Sequence, residues 1–167
     1  SHLRKLNLPM DSSAKIIGPR LLHSTQWGII CPVHTPDGGN VGLHKHLALT
    51  THITSGTSSK PIIKWLKEHD LLILEECNKS ELFNFTKVFV NGSWIGMVEQ
   101  PIDLIDTFKL HRRNGLMSIY NSIYWDIRHN EIQISTDGGR LCRPIFYSDD
   151  NQVSYLREKI NEKIIED

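Results

Sequence analysis

The chain has 167 residues, 39% of them hydrophobic, and 19 basic side chains against 19 acidic ones. That length predicts one domain or two small ones, and the apolar share predicts a modest core. No apolar run approaches the roughly 20 residues of a bilayer-spanning helix, no signal-peptide core follows Ser1, and zero net charge marks neither nucleic acid nor membrane as partner.

The balance is uneven along the chain. Residues 1–60 carry six Lys or Arg against two acids, with six of the nine histidines, while the remainder carries thirteen cations against seventeen acids. A net +4 portion thus precedes a net −4 portion, which directs any polyanion contact to the first third. Cys31, Cys77 and Cys142 are odd in number and far apart, without a C-x-x-C pair. They predict a reducing, intracellular compartment rather than a disulfide framework. A start at Ser1 without methionine and the charged run Glu158–Asp167 read as a piece of a longer chain.

In chain order, polar and basic residues open the sequence, and Asp11-Ser12-Ser13 predicts a turn at the tip of a prong from Leu8 to Pro19. Arg20 to Leu49 follows. Cys31-Pro32 and Thr35-Pro36 push the residues before each proline out of the helical region, and Gly38, Gly39 and Gly42 open backbone angles that other residues avoid. The segment therefore predicts a stiff, turned loop that leads into a β-like run from Val41 to Leu49. The loop holds Arg20, His23, Thr35, Asp37, Asn40 and Lys45, a set that suits a phosphate backbone better than an apolar ligand.

Ser55–Pro61 is a polar breaker and the expected domain boundary. Pro61, Ile62, Ile63 and Leu66 predict a short helix to His69. Asn91-Gly92 between β-rich runs predicts a hairpin, and Pro101 to Leu110, closed by Asn114-Gly115, predicts a second helix. Met117–Arg128, Glu131–Ser135 and Arg140–Tyr147 predict a three-stranded antiparallel meander, and Tyr155–Ile165 a terminal helix. The fold class is α+β: an irregular β-rich segment over 1–55, a small α+β domain over 56–150, and a terminal helix or the start of another domain over 151–167.

Self-contained catalysis is poorly supported. Cys31-x-x-His34 with His44-x-His46 offers zinc ligands, but not in the pairs that structural sites use. Cys31 lies between an isoleucine and a proline, which disfavours a thiolate. Asp37, the one acid of the loop, makes neither a two-metal site nor an acid/base pair. His34, Asn40 and His44 spell an H-N-H trio without the helix that such nucleases require.

The run R-L-L-H-S-T-Q-W-G-I-I-C-P-V-H-T-P-D-G-G-N-V-G-L-H-K-H-L-A-L resembles the fork region of the second-largest subunit of multisubunit DNA-directed RNA polymerases. Ser1-His2-Leu3-Arg4-Lys5 with Asn7 and Pro9 resembles the opening of the same region. Val88–Gly96 and Thr136–Phe146 resemble the external domain following the fork in eukaryotic, archaeal and large-DNA-virus enzymes.

The resemblance implies template-directed RNA synthesis by nucleotidyl transfer in an assembled enzyme, with no catalytic residue in these residues themselves. It implies that Arg4, Lys5, Lys15, Arg20, His23 and Lys45 face nucleic acid, and that Trp27, packed beneath the loop, Pro32, Thr35, Pro36, Gly38 and Gly42 shape it. Asp37 stands where the family has a glutamate near the active centre, a reach shorter by ~1.5 Å. Mg2+ would be bound mainly by the largest subunit, and Zn2+ is not expected here. The implied partners are the largest and other polymerase subunits, the DNA template and the RNA–DNA hybrid, with no membrane. The location would be the nucleus for a cellular enzyme, and cytoplasm or virion for a viral one. The alternative is a free-standing module that binds nucleic acid or protein without catalysis.

Overall fold

The computed structural model describes residues 2–76 and 84–145, together with the backbone of 148–149 and 152–153. In chain order the strands are β1 (Lys5–Asn7), β2 (His44–His46), β3 (His52–Ile53), β4 (Leu72–Ile73), β5 (Thr86–Val90) and β6 (Ser93–Val98). They continue with β7 (Ser122–Asp126), β8 (Glu131–Ser135), β9 (Leu141–Cys142), β10 (Ser148–Asp149) and β11 (Gln152–Val153). Among the described residues two α-helices are complete, α1 (Lys60–Glu68) and α2 (Pro101–Arg113). The chain divides into two compact units, one of Ser1–Ile53 with Leu141–Asp167, the other Thr54–Arg140.

Thr54–Arg140 is an α+β unit around a five-stranded sheet of order β4-β6-β5-β8-β7. Asn91 and Gly92 take φ of 49° and 81°, the left-handed pair whose twist suits a two-residue hairpin between β5 and β6. The central β5 and β8 run parallel, and every other pairing is antiparallel. Alternation puts Thr86, Val88 and Val90 of β5 and Ile132 and Ile134 of β8 on one face. Against these pack Ile62 and Leu66 of α1, four residues apart, and Leu104, Ile105 and Phe108 of α2. Complete burial of Leu66 and Phe108 contributes about 1.5–3 kcal/mol each.

Helix ends follow from local chemistry. Pro61 and Pro101 each sit in a first turn, where their missing N–H costs nothing. Gly115, at φ 76°, ends α2: its N–H donates to Arg112 O and the Leu116 N–H to His111 O, the paired bonds of a glycine-closed C-terminus.

The described residues of the other unit have little apolar interior. Leu43 and Leu47 are its buried large aliphatics among the described residues, alongside buried Thr51. β1 pairs antiparallel with β2, an Ile30–Leu47 bridge adds to it, and β3 pairs with β9. This last pairing corrects the expected meander. β7 and β8 form two of its strands, but the other edge of β8 is taken by β5, and Leu141–Cys142 pairs with His52–Ile53 instead. The β-like run from Val41 to Leu49 contributes only His44–His46 as strand, since Gly42 takes φ 73°. The expected terminal helix over Tyr155–Ile165 and Cys77 lie outside the described residues.

Candidate nucleic-acid interface

The β1–β2 register sets Lys5 opposite His46, Leu6 opposite Lys45 and Asn7 opposite His44. Together with the proline-rich turn, these strands bound a cleft of about 340 Å³ lined by Lys5, Asn7, His34, Thr35, Pro36, Asn40, His44 and Lys45. Among the described residues no acidic side chain lines it. Neither lysine has a carboxylate partner among the described residues, so both ammonium groups are available to an anion.

Thr35 holds the turn shut. Its hydroxyl donates to His44 O at 3.0 Å and accepts from the Gly42 N–H at 2.8 Å, which ties the T-P-D-G corner to the start of β2. Gly38 and Gly42, at φ 82° and 73°, supply the left-handed corners. Asp37 precedes them at the head of the short 3-10 turn Gly38–Asn40, its carboxylate exposed and making no capping bond. Pro32 and Pro36 lie on the approach to this turn.

The imidazoles are separately engaged rather than convergent. His44 Nδ1 is 2.8 Å from Asn7 Oδ1, and His46 Nδ1 donates to Leu47 O at 2.9 Å. His34 stacks on His46 with centroids 4.4 Å apart and planes 14° apart. Stacked faces do not aim two ring nitrogens at one ion. Among the described residues no group of three or more His, Cys, Asp or Glu is placed to hold a metal.

The two arginines expected at phosphates are used differently. Arg4 Nη2 donates to the carbonyls of Ala48, Leu49 and Thr51. Arg20 reaches Gly39 O at 2.7 Å and Val41 O at 2.9 Å through Nη1, and Ser12 O at 3.0 Å through Nη2. Both keep their charge, yet their donors serve to tie loops together, because a turned backbone leaves carbonyls that a guanidinium fork can gather. Lys15 is exposed on the prong, outside the cleft.

Two family profiles match, "RNA polymerase Rpb2, domain 3" over residues 1–53 and "RNA polymerase Rpb2, domain 4" over residues 88–149. The DNA-directed RNA polymerase II subunit RPB2 of Encephalitozoon cuniculi is 43% identical over 162 residues, 97% of this chain. That of Schizosaccharomyces pombe is 44% identical over 96% of the chain. The chain belongs to the family of second-largest subunits of DNA-directed RNA polymerase. A third relative, DNA-directed RNA polymerase subunit 2 of Acanthamoeba polyphaga mimivirus, is 34% identical over 97% of the chain. The chain spans only 13–14% of the length of these three relatives.

For a polymerase subunit the position of Trp27 is informative. It was expected beneath the loop, but its side chain is 79% exposed. Gly28, at φ 69°, reverses the chain directly after it, and the ring is left on the rim of a second, mostly apolar cleft with Leu22, His23, Ile30 and Pro32. His23 belongs to that cleft too, its Nδ1 accepting from the Thr25 N–H at 3.3 Å to cap a 3-10 turn. Asn7 does not stand out as a site residue in the sequence. Only the β1–β2 register brings it to the basic cleft, and no local signal announces a register.

Proposed function

We propose that this chain forms the part of an RNA polymerase second-largest subunit that grips nucleic acid beside the catalytic centre during template-directed RNA synthesis. The observation that carries the reading is the cleft walled by Lys5 and Lys45, lined by amides, imidazoles and a hydroxyl, with no acid among the described residues that line it. Such a surface attracts phosphates by charge and positions them with neutral donors, without reading bases. Thr35 and the glycines beside it fix the wall on which Lys45 stands. Asp37 projects from the adjoining turn, with no ion-pair partner among the described residues, and orders neighbouring cations or the incoming nucleic acid.

The chain's partners are the largest subunit and the other polymerase subunits, the DNA template and the RNA–DNA hybrid. Magnesium stabilises the attacking and leaving oxygens of nucleotidyl transfer. The described residues do not fit a site for it, since Asp37 is the only carboxylate of its loop. As the family resemblance implies, the metal is held mainly by the largest subunit, and the Lys5–Lys45 cleft acts on the polymer.

The test is salt dependence. In the assembled polymerase, Lys5→Ala with Lys45→Ala lowers the slope of log affinity for an RNA–DNA scaffold against log salt by ~1 for each phosphate that is no longer neutralised. An unchanged slope, with assembly intact, refutes the reading. Asp37→Ala slows elongation without impairing assembly, and unaltered elongation removes Asp37 from the account.

A further inference from the structure

We propose that the cleft of Leu22, Trp27, Ile30 and Pro32 seats an apolar, acid-bearing polypeptide segment of the assembled polymerase that lies outside residues 1–167. The inference rests on the polymerase reading, because it needs an assembly to supply the segment. The cleft measures about 450 Å³, and its walls are overwhelmingly apolar, with His23 as the only titratable group among the described residues that line it. Around it the apolar surface continues through Leu21, 60% exposed, and Leu22, 62% exposed.

A unit whose buried large aliphatics among the described residues are Leu43 and Leu47, and which leaves a tryptophan ring this open, carries on those residues more apolar surface than their interior consumes. An aromatic anchor on a concave apolar surface is the usual core of a protein interface. The polymer's phosphates are drawn first to the other cleft, which Lys5 and Lys45 line, whereas among the described residues no lysine lines this apolar one.

The acid in the proposed segment follows from Arg143. A Cβ built on Gly28 would overlap its guanidinium, so that group lies directly on the glycine that forms part of the cleft wall. Arg143 has no carboxylate partner among the described residues. A planar fork left unpaired beside an apolar seat suits a carboxylate on the occupant, which it would engage in two parallel bonds. Gly28 is required at this place for its φ of 69° and for the room it leaves to Arg143. The source of the segment is supplied by size: the second-largest subunits that this chain matches are about seven times as long, since it spans 13–14% of each.

Hydroxyl-radical footprinting of the intact polymerase, without nucleic acid, tests the assignment, with template-directed incorporation measured on the same preparation. Normalised to its intrinsic reactivity, Trp27 should lose its oxidation to the level of the fully buried Phe108. Protection that appears only when an RNA–DNA scaffold is added would overturn the proposal in favour of base stacking. Protection that depends on enzyme concentration would overturn it in favour of a second copy, and free reactivity in every state would overturn it outright. Arg143→Glu should release the protection of Trp27 and Arg143→Lys should largely keep it, and equal protection in both would remove the acid from the occupant. Active enzyme with a reactive Trp27 sinks this proposal alone, whereas inactive enzyme with a protected Trp27 sinks the catalytic reading alone.

Discussion

Gly42 turns at φ 73° against the backbone of Arg20, so closely that a Cβ on the glycine would overlap the arginine's carbonyl group. The Arg20 guanidinium meanwhile reaches over to Gly39 O and Val41 O. One arginine thus holds the glycine loop from two sides, by steric fit through its backbone and by hydrogen bonds through its side chain.

Gly42→Ala therefore meets two obstacles, a left-handed backbone that costs about 1–2 kcal/mol for an L-residue and a backbone collision that no rotamer relieves. The expected outcome is a polymerase that assembles poorly or elongates slowly, whereas Gly39→Ala, whose new methyl meets nothing nearer than Ser12 Cβ at 3.9 Å, behaves like the parent. Elongation rates of the two variants compared side by side decide the matter.

Arg20→Lys retains the charge but loses the fork. A lysine cannot serve Gly39 O, Val41 O and Ser12 O together, so residues 11–14 and 38–41 should exchange amide hydrogen faster in the Lys variant, by a local loss of about 1–2 kcal/mol. Unaltered exchange in both stretches would show that Arg20 acts through charge alone.

Phe108→Ala removes a ring that is wholly buried between α2 and the sheet, in contact with Trp65 at a centroid distance of 5.6 Å. The loss should be about 3–5 kcal/mol. Thermal unfolding followed through the tryptophans of the Thr54–Arg140 unit would report it.

His129 Nδ1 lies 2.7 Å from Asp126 Oδ2 at the turn between β7 and β8. The side-chain hydrogen bond with Asp126 holds the His129 imidazole above its ordinary value of 6.5, and the same bond holds Asp126 below its ordinary 3.8. A raised histidine stabilises the fold below its unfolded value and ceases to as pH climbs through its folded one. A lowered aspartate stabilises above its unfolded value and ceases to as pH falls through its folded one. The pair contributes fully between about pH 3.8 and 6.5 and fades on either side. Proton NMR should show His129 titrating lower in Asp126→Asn, and an unmoved titration would dismiss the pair.

Much of this was legible because it is local. Asn91-Gly92 specifies its hairpin through two left-handed residues, and Pro101 with Gly115 brackets α2, because each feature depends on neighbours in sequence. Partners far apart in sequence were not. Alternation marks Leu141–Cys142 as strand but cannot say that its mate is His52–Ile53, and it cannot tell that β8 runs parallel to β5. At the candidate site the T-P-D-G turn and its lysines stood out as residue types. What the sequence hid was a second demand on the arginines: donors of Arg4 and Arg20 also serve the carbonyls that the turned backbone presents. Trp27 differs from its expected place too, since hydrophobicity predicts burial but the described residues leave the ring 79% exposed.

The measurement that tests the central claim most directly is site-specific photocrosslinking in a stalled elongation complex of the full polymerase, with the photoreactive residue placed at position 45, at position 5, or at the solvent-exposed Lys64 of α1. The account predicts crosslinks to RNA or DNA from positions 45 and 5 and none from 64. Crosslinks absent from both cleft positions, or equally strong from position 64, would contradict it.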